Sequence, residues 1–453
     1  MAESNPQECG NVAWAFATLR RRDRPLFDAI AAPALSKMAQ FSPQNLANTA
    51  WAWAALCFDH APLRAALSSA AMQRLELFGT HELASTAWSF ATVADADAPL
   101  LHCIATEALV KICQFAPQAI GNIFWSFSTL SYYHEPLLDG IVYAARARTH
   151  LFKSQELANT VWSLAVFRVQ DYPLLEAIAV AAICSIRRFR QQELANTAWA
   201  FAKLLFPHLP LLDAIAAAAA PSILDWGPQE LANTAWAFAR LRALDAPLLQ
   251  AIPSAFLARL AERQPGSSRV LPRHVEMVTW ALSRQSDLAP AWTFLDGLEG
   301  AGWRVGSQAV AGLLGECERR GLPQRQRQLL HLLARSAALA APARAGAVAL
   351  PRPPAGCLGP GGAPGSPFGV LRGACLGGPL GPLPPSVARG LLAQPPGTGR
   401  EHEKEARLLA FVLSTAPPGR PEAICEAIEP SGTATCPART GARAAGPPPR
   451  ASG

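Results

Sequence analysis

Apolar and polar residues follow one repeated pattern through roughly the first 260 positions. In Gln229-Glu230-Leu231-Ala232-Asn233-Thr234-Ala235-Trp236-Ala237-Phe238-Ala239-Arg240-Leu241, helix formers and aromatics dominate. A projection at about 100° per residue gathers Leu231, Ala232, Ala235, Trp236, Phe238 and Ala239 on one broad arc, with Asn233, Ala237 and Arg240 on the narrow opposite one. Copies of this segment recur at Gln192 to Leu204, Gln155 to Phe167 and Gln44 to Leu56. Tryptophans at 14, 51, 88, 125, 162, 199 and 236 are each 37 residues apart, and prolines at 25, 62, 99, 136, 173, 210 and 247 keep the same interval. Two residue types holding one period through seven copies define an internal repeat.

Each unit reads as helix, short turn, helix. Asn5-Pro6, Ser42-Pro43 and Gly227-Pro228 place a cap-competent residue before a proline suited to the first turn. The second half opens as Pro210-Leu211-Leu212-Asp213 does, with an acid near the positive helix end. A lone helical hairpin cannot bury its apolar face, so the units must stack. The fold class expected is therefore all-α, an α-solenoid of seven 37-residue helix-turn-helix repeats over residues 1–262. Asp23, His60, Asp97, His134, Asp171, His208 and Asp245 alternate two residues before each proline. They read as caps of the second helix, because stacking would keep them too far apart to share a metal.

A degenerate eighth copy and capping helices are expected over 263–340. Glu276-Met277-Val278-Thr279-Trp280-Ala281-Leu282 mimics the first helix after an insertion around Gln264 to Ser268. Two or three amphipathic helices follow over 289–335, and are weakly similar to pentatricopeptide units. From 341 to 453 the chain turns to Pro, Gly, Ala and Arg, the composition of a disordered tail, with a short helix possible only around Glu401 to Leu413.

Composition narrows the function classes. Half the residues are apolar, 16% are charged and the net charge is +7, which permits a polyanionic partner without demanding one. The ten cysteines show no C-x-x-C spacing and read as reduced thiols. No apolar run reaches membrane-spanning length. Met1 to Pro6 has the pattern neither of an Arg-rich leader nor of a signal peptide and runs straight into a repeat; either a leader is lacking or the reading starts late. No phosphate loop, H-E-x-x-H or G-x-S-x-G motif occurs, so neither a catalytic residue, a metal site nor a cofactor is expected, and the chain reads as a non-enzyme.

Two sets of residues are candidates for binding. On the narrow arc of the first helix stand Asn11, Asn48, Ser85, Asn122, Asn159, Asn196 and Asn233. Asn is an indifferent helix former, so its recurrence asks for a reason: a hydrogen-bonded ladder between first helices, or contact with a ligand. Seven residues later the arc varies, as Thr18, Ala55, Thr92, Thr129, Val166, Lys203 and Arg240, where selectivity would lie. The second set is basic, Lys37, Arg74, Lys111, Arg148 and Arg259 near the end of the second helix, interrupted by Ser185 and Ser222. These cations suit either the helix dipole or a track of phosphates. The Trp and Phe series are expected in the core.

The phrase Pro-Gln-Glu-Leu-Ala-Asn-Thr-Ala-Trp-Ala-Phe-Ala at 228–239 resembles the first helix of octotricopeptide repeats and of FAST-kinase-like repeats. It is also similar to repeats of an RNA-editing substrate-binding complex subunit, and the likeness covers about residues 5 to 282. The period is one residue short of the nominal one, and no companion RAP-type domain is evident, so no nuclease activity is implied. The resemblance implies a helical solenoid binding single-stranded RNA in the mitochondrial matrix or a chloroplast, in RNA processing, stability or translation, with protein partners of an organellar ribonucleoprotein as a further expectation. One base per unit would then give a footprint of about seven nucleotides. The alternative is a protein-binding scaffold without RNA contact.

Overall fold

A computed structural model describes residues 5–243, 246–261, 270–303 and 305–338. The inserted segment around Gln264, Asp245 of the cap series, the tail from 341 and its helix around Glu401 lie outside them. The described residues form eighteen α-helices and no strand. They pair in chain order as α1 (Pro6–Thr18) with α2 (Arg24–Lys37), α3 (Pro43–Ala55) with α4 (Ala61–Met72), and α5 (Thr80–Thr92) with α6 (Ala98–Val110). Next come α7 (Pro117–Thr129) with α8 (Glu135–Arg148), α9 (Ser154–Phe167) with α10 (Tyr172–Ser185), and α11 (Gln191–Lys203) with α12 (Leu209–Ala219). The seventh pair is α13 (Pro228–Arg240) with α14 (Ala246–Ala261).

The eighth unit is α15 (Pro272–Ser283) with α16 (Ala289–Gly300), and the capping helices make a ninth, α17 (Ser307–Arg319) with α18 (Pro323–Ala338). Pro272 and Ser307 stand 35 residues apart, so these last units are built on a shorter period than the first seven.

Odd-numbered helices stack directly on one another, α1 on α3, α3 on α5 and onward to α17, and approach more closely than the even-numbered ones. Small residues allow this. Gly10, Ala47, Ala84, Gly121, Ala158, Ala195 and Ala232 share one register, and all are buried. A Cβ added at Gly121 would lie 3.6 Å from Glu156 Cα, so the backbones of α7 and α9 nearly touch there. A stack packed more tightly along its first helices curves with those helices inside.

Local signals start many of the helices. Asn5 and Ser42 accept from the backbone N–H groups of Glu8 and Asn45 at 2.8 and 3.2 Å, as N-caps do. The Asp/His alternation resolves in the same way. The carboxylates of Asp23, Asp97 and Asp171 accept from Leu26, Leu100 and Leu174 N–H at 3.0, 3.1 and 2.8 Å. In the intervening units His60, His134 and His208 accept through Nδ1 from Leu63, Leu137 and Leu211 at 3.1, 3.3 and 3.1 Å. Only a neutral imidazole carrying its proton on Nε2 has an Nδ1 lone pair to offer. His208→Ala is therefore expected to lose about 1 kcal/mol in a urea melt and His208→Asp to retain it. Equal losses in both would contradict the cap.

First helices end in a feature that carries no sequence signal. Arg20, Cys57, Ala94, Ser131, Arg168, Leu205 and Arg242 all have φ between 52° and 58°. The next N–H then closes back across the helix end, as Phe206 does onto Phe201 O at 3.0 Å. Glycine normally takes this place; among these units only the ninth has one, Gly321 at φ 64°. Side chains forced into this region cost roughly 1–2 kcal/mol each. The surrounding stack holds them there.

One core runs through the array between the two helix layers. Phe90, Phe127, Phe201 and Phe238 from the first helices meet Leu100, Ile141, Ile178 and Ile215 from the second, all at most 2% exposed. A 3-10 turn follows each of the first six second helices, and then one extended residue drops an aromatic side chain between units. These plugs are Phe41, Phe78, Phe115, Phe152, Phe189 and Trp226, all buried.

Candidate nucleic-acid interface

The tryptophans depart from the expected core. Gln229, Asn233, Trp236 and Arg240 are spaced i, i+4, i+7 and i+11, which is one helix face. That face looks away from the second helix and carries the partly exposed residues of the first-helix layer. Trp14 is 47% exposed, and Trp51, Trp88, Trp199 and Trp236 are half-buried. Trp125 and Trp162 are buried, but in a separate cluster with Ala91 rather than in the main core. Neighbouring indoles form a ladder, with ring centroids 6.4 Å apart for Trp51 and Trp88 and 6.3 Å for Trp236 and Trp280. Apolar identity on a projection misplaced them, because their burial comes from the adjoining unit and not from the hairpin's own partner helix. The Phe series does lie in the core.

Ala237, expected on the free arc, is fully buried, as are Ser89, Ser126 and Ser163 at its register. They line the contact between successive first helices, where Ser128 Oγ donates to Ser163 Oγ across units at 3.0 Å.

The Asn series borders the same contact. Asn11 is exposed, Asn48, Ser85, Asn122 and Asn233 are half-buried, and Asn159 and Asn196 are buried. Among the described residues no side-chain hydrogen bond joins one Asn to the next, so the ladder expected as one reading of this row is not formed. Asn159 Oδ1 and Trp125 Nε1 are buried without a hydrogen-bond partner. Such groups are costly unless something satisfies them.

The basic residues of the second helices have a structural occupation. Arg74 donates to the carbonyls of Phe41, at 2.7 Å, and Ala39. Lys111 does so to Glu76 and Phe78 at 2.8 and 2.6 Å, and Arg148 to Phe115 at 2.6 Å and to Cys113. Arg259 reaches Leu224 O and lies 3.8 Å from Asp225. Each cation thus ties the end of its helix to the 3-10 turn of the preceding unit, satisfying carbonyls that the turn leaves open. Lys37 holds the same register in the first unit and is half-buried. Arg74, Lys111, Arg148 and Arg259 act as staples between units, and Lys111 also pairs with Glu107 at 2.8 Å.

The variable position ending each first helix lies on the ladder's face. Thr18, Ala55, Thr129 and Val166 are half-buried and Thr92 is buried, whereas Lys203 is exposed and Arg240 half-buried. The eighth and ninth units continue this register with Arg284 and Arg319, both exposed. Sequence reasoning missed these two, although counting four residues on from Trp280 finds the first.

The six described cysteines are all free thiols. Burial pushes the Cys9 and Cys317 thiols above the ordinary range, which disfavours the reactive thiolate. No described helix is long and apolar enough to cross a membrane.

Stacked helical hairpins of this kind define an α-solenoid. The family model of the RNA-editing substrate-binding complex 6 protein matches residues 1–247, and the chain belongs to that family. Comparison with curated proteins finds no match.

Proposed function

We propose that the protein binds single-stranded RNA within an RNA-processing assembly of a mitochondrion or chloroplast, and acts by binding without chemistry of its own. The observation that carries this is the row of Gln, Asn and Trp that recurs on the first helices in six of the seven units, with His81 and Ser85 replacing Gln and Asn in the third. Amides can pair with base edges and indoles can stack on bases. The family name, which specifies a complex that binds RNA-editing substrates, supports an RNA ligand together with protein partners. The octotricopeptide and FAST-kinase-like likeness of residues 228–239 points to the same class. A scaffold reading draws on the first unit, where Trp14 is 47% and Leu19 71% exposed.

Selection of the full chain against a random single-stranded RNA pool, at low and moderate salt, tests this. Enrichment of a short motif, with affinity falling as salt rises, is the expected result. Failure to retain RNA at low salt would replace the RNA reading with the scaffold.

A further inference from the structure

We propose that RNA lies on the C-terminal half of the first-helix face, with Lys203, Arg240, Arg284 and Arg319 contacting its phosphates. This rests on the RNA-binding reading above and assigns its electrostatics. The four residues occupy one register in units six to nine, at the last turn of α11 and α13 and immediately after or at the end of α15 and α17. Stacking places them in a row beside the tryptophan ladder, one cation per unit. The equivalent residues of units one to five are Thr18, Ala55, Thr92, Thr129 and Val166, none charged.

The turns beside this row differ in charge along the array. Arg20, Arg168 and Arg242, all exposed, hold the left-handed position in units one, five and seven. In units two and three the corresponding turns carry Asp59 and Asp95, which Arg64 of α4 bridges, at 2.5 Å to Asp59. Those turns offer a polyanion no net attraction. Arg284 lies 5.7 Å over the Trp280 ring, so cation and indole already share one surface. Arg319 is paired with Glu316 at 2.5 Å, and that carboxylate is shared with Arg320.

A cationic row flanking half-buried indoles is the arrangement that tracks a single strand, with phosphates on the charges and bases over the rings. Other cations serve this purpose less well. Arg74, Lys111, Arg148 and Arg259 are committed to backbone carbonyls of the preceding unit. The three arginines at 20–22 form a basic turn at the far end, but Asp59 and Asp95 separate it from the C-terminal row.

The test uses the full chain and a fluorescent oligouridylate of about 20 nucleotides, titrated between about 50 and 200 mM salt. In the variant Lys203→Gln, Arg240→Gln, Arg284→Gln, Arg319→Gln, affinity should fall on the order of 100-fold. The slope of log K against log salt should flatten by about 3, near 0.7 for each of the lost phosphate contacts. A charge-matched control, Arg20→Gln, Arg21→Gln, Arg22→Gln, Arg24→Gln, should stay within a few-fold of the unsubstituted chain. Circular dichroism and melting confirm that both variants fold. Unchanged binding in the C-terminal variant, or an equal loss in the control, overturns the placement while RNA binding stands. No binding by the unsubstituted chain overturns the placement and the RNA reading together.

Discussion

Phe201→Ala is expected to destabilise the array by about 3–5 kcal/mol, the range for emptying a buried aromatic site. Phe201 is fully buried in the last turn of α11, with Phe206 folded back against it at a centroid distance of 5.8 Å. The helix is packed between α9 and α13, so its neighbours cannot collapse into the vacated volume without breaking their own contacts. In a linear array each unit is stabilised mainly by the two beside it, and weakening the sixth uncouples the flanks. Thermal unfolding followed by circular dichroism should therefore broaden or divide into two transitions. A single sharp transition with less than about 1 kcal/mol lost would show that this register does not carry the core.

Arg148→Met should cost about 1.5–3 kcal/mol, toward the lower end because the side chain is only half-buried. Methionine retains much of the apolar stem and removes the guanidinium. The carbonyls of Phe115 and Cys113 then lose their charged donor, and α8 is released from the turn of the preceding unit. Arg148→Lys should recover part of the loss, since Lys111 performs the same task with one ammonium group. RNA affinity of the folded Arg148→Met protein should match that of the unsubstituted chain. If affinity falls while the urea midpoint stays constant, the second-helix cations are a phosphate track after all.

Much of the fold was legible because helical hairpins are specified locally. Each unit contains its own start signal, its own apolar face and its own caps, and the 37-residue period repeats the message seven times. The Asp/His positions are an instance: both side chains can accept from an N–H three residues on, so the sequence predicts caps and the structure forms them. The left-handed residues after each first helix were not legible. Leu205 and Ala94 have no intrinsic preference for that conformation, and only the packed stack imposes it.

The candidate site divides in the same way. The sequence by itself determined the units, the direction of each helix and the recurrence of Asn, Trp and a variable position along one stripe. Those depend on spacing within a dozen residues. Only the tertiary structure decided that Trp14, Trp51, Trp88, Trp199 and Trp236 border solvent while Trp125 and Trp162 do not, that Asn159 Oδ1 is buried without a partner, and that Arg74 and Arg148 are bound to backbone. The partners concerned lie 33 residues away in the chain, and burial of an indole depends on the helix of the adjoining unit. Side-chain periodicity shows which residues share a face; what that face meets is settled by the curvature and spacing of the whole stack.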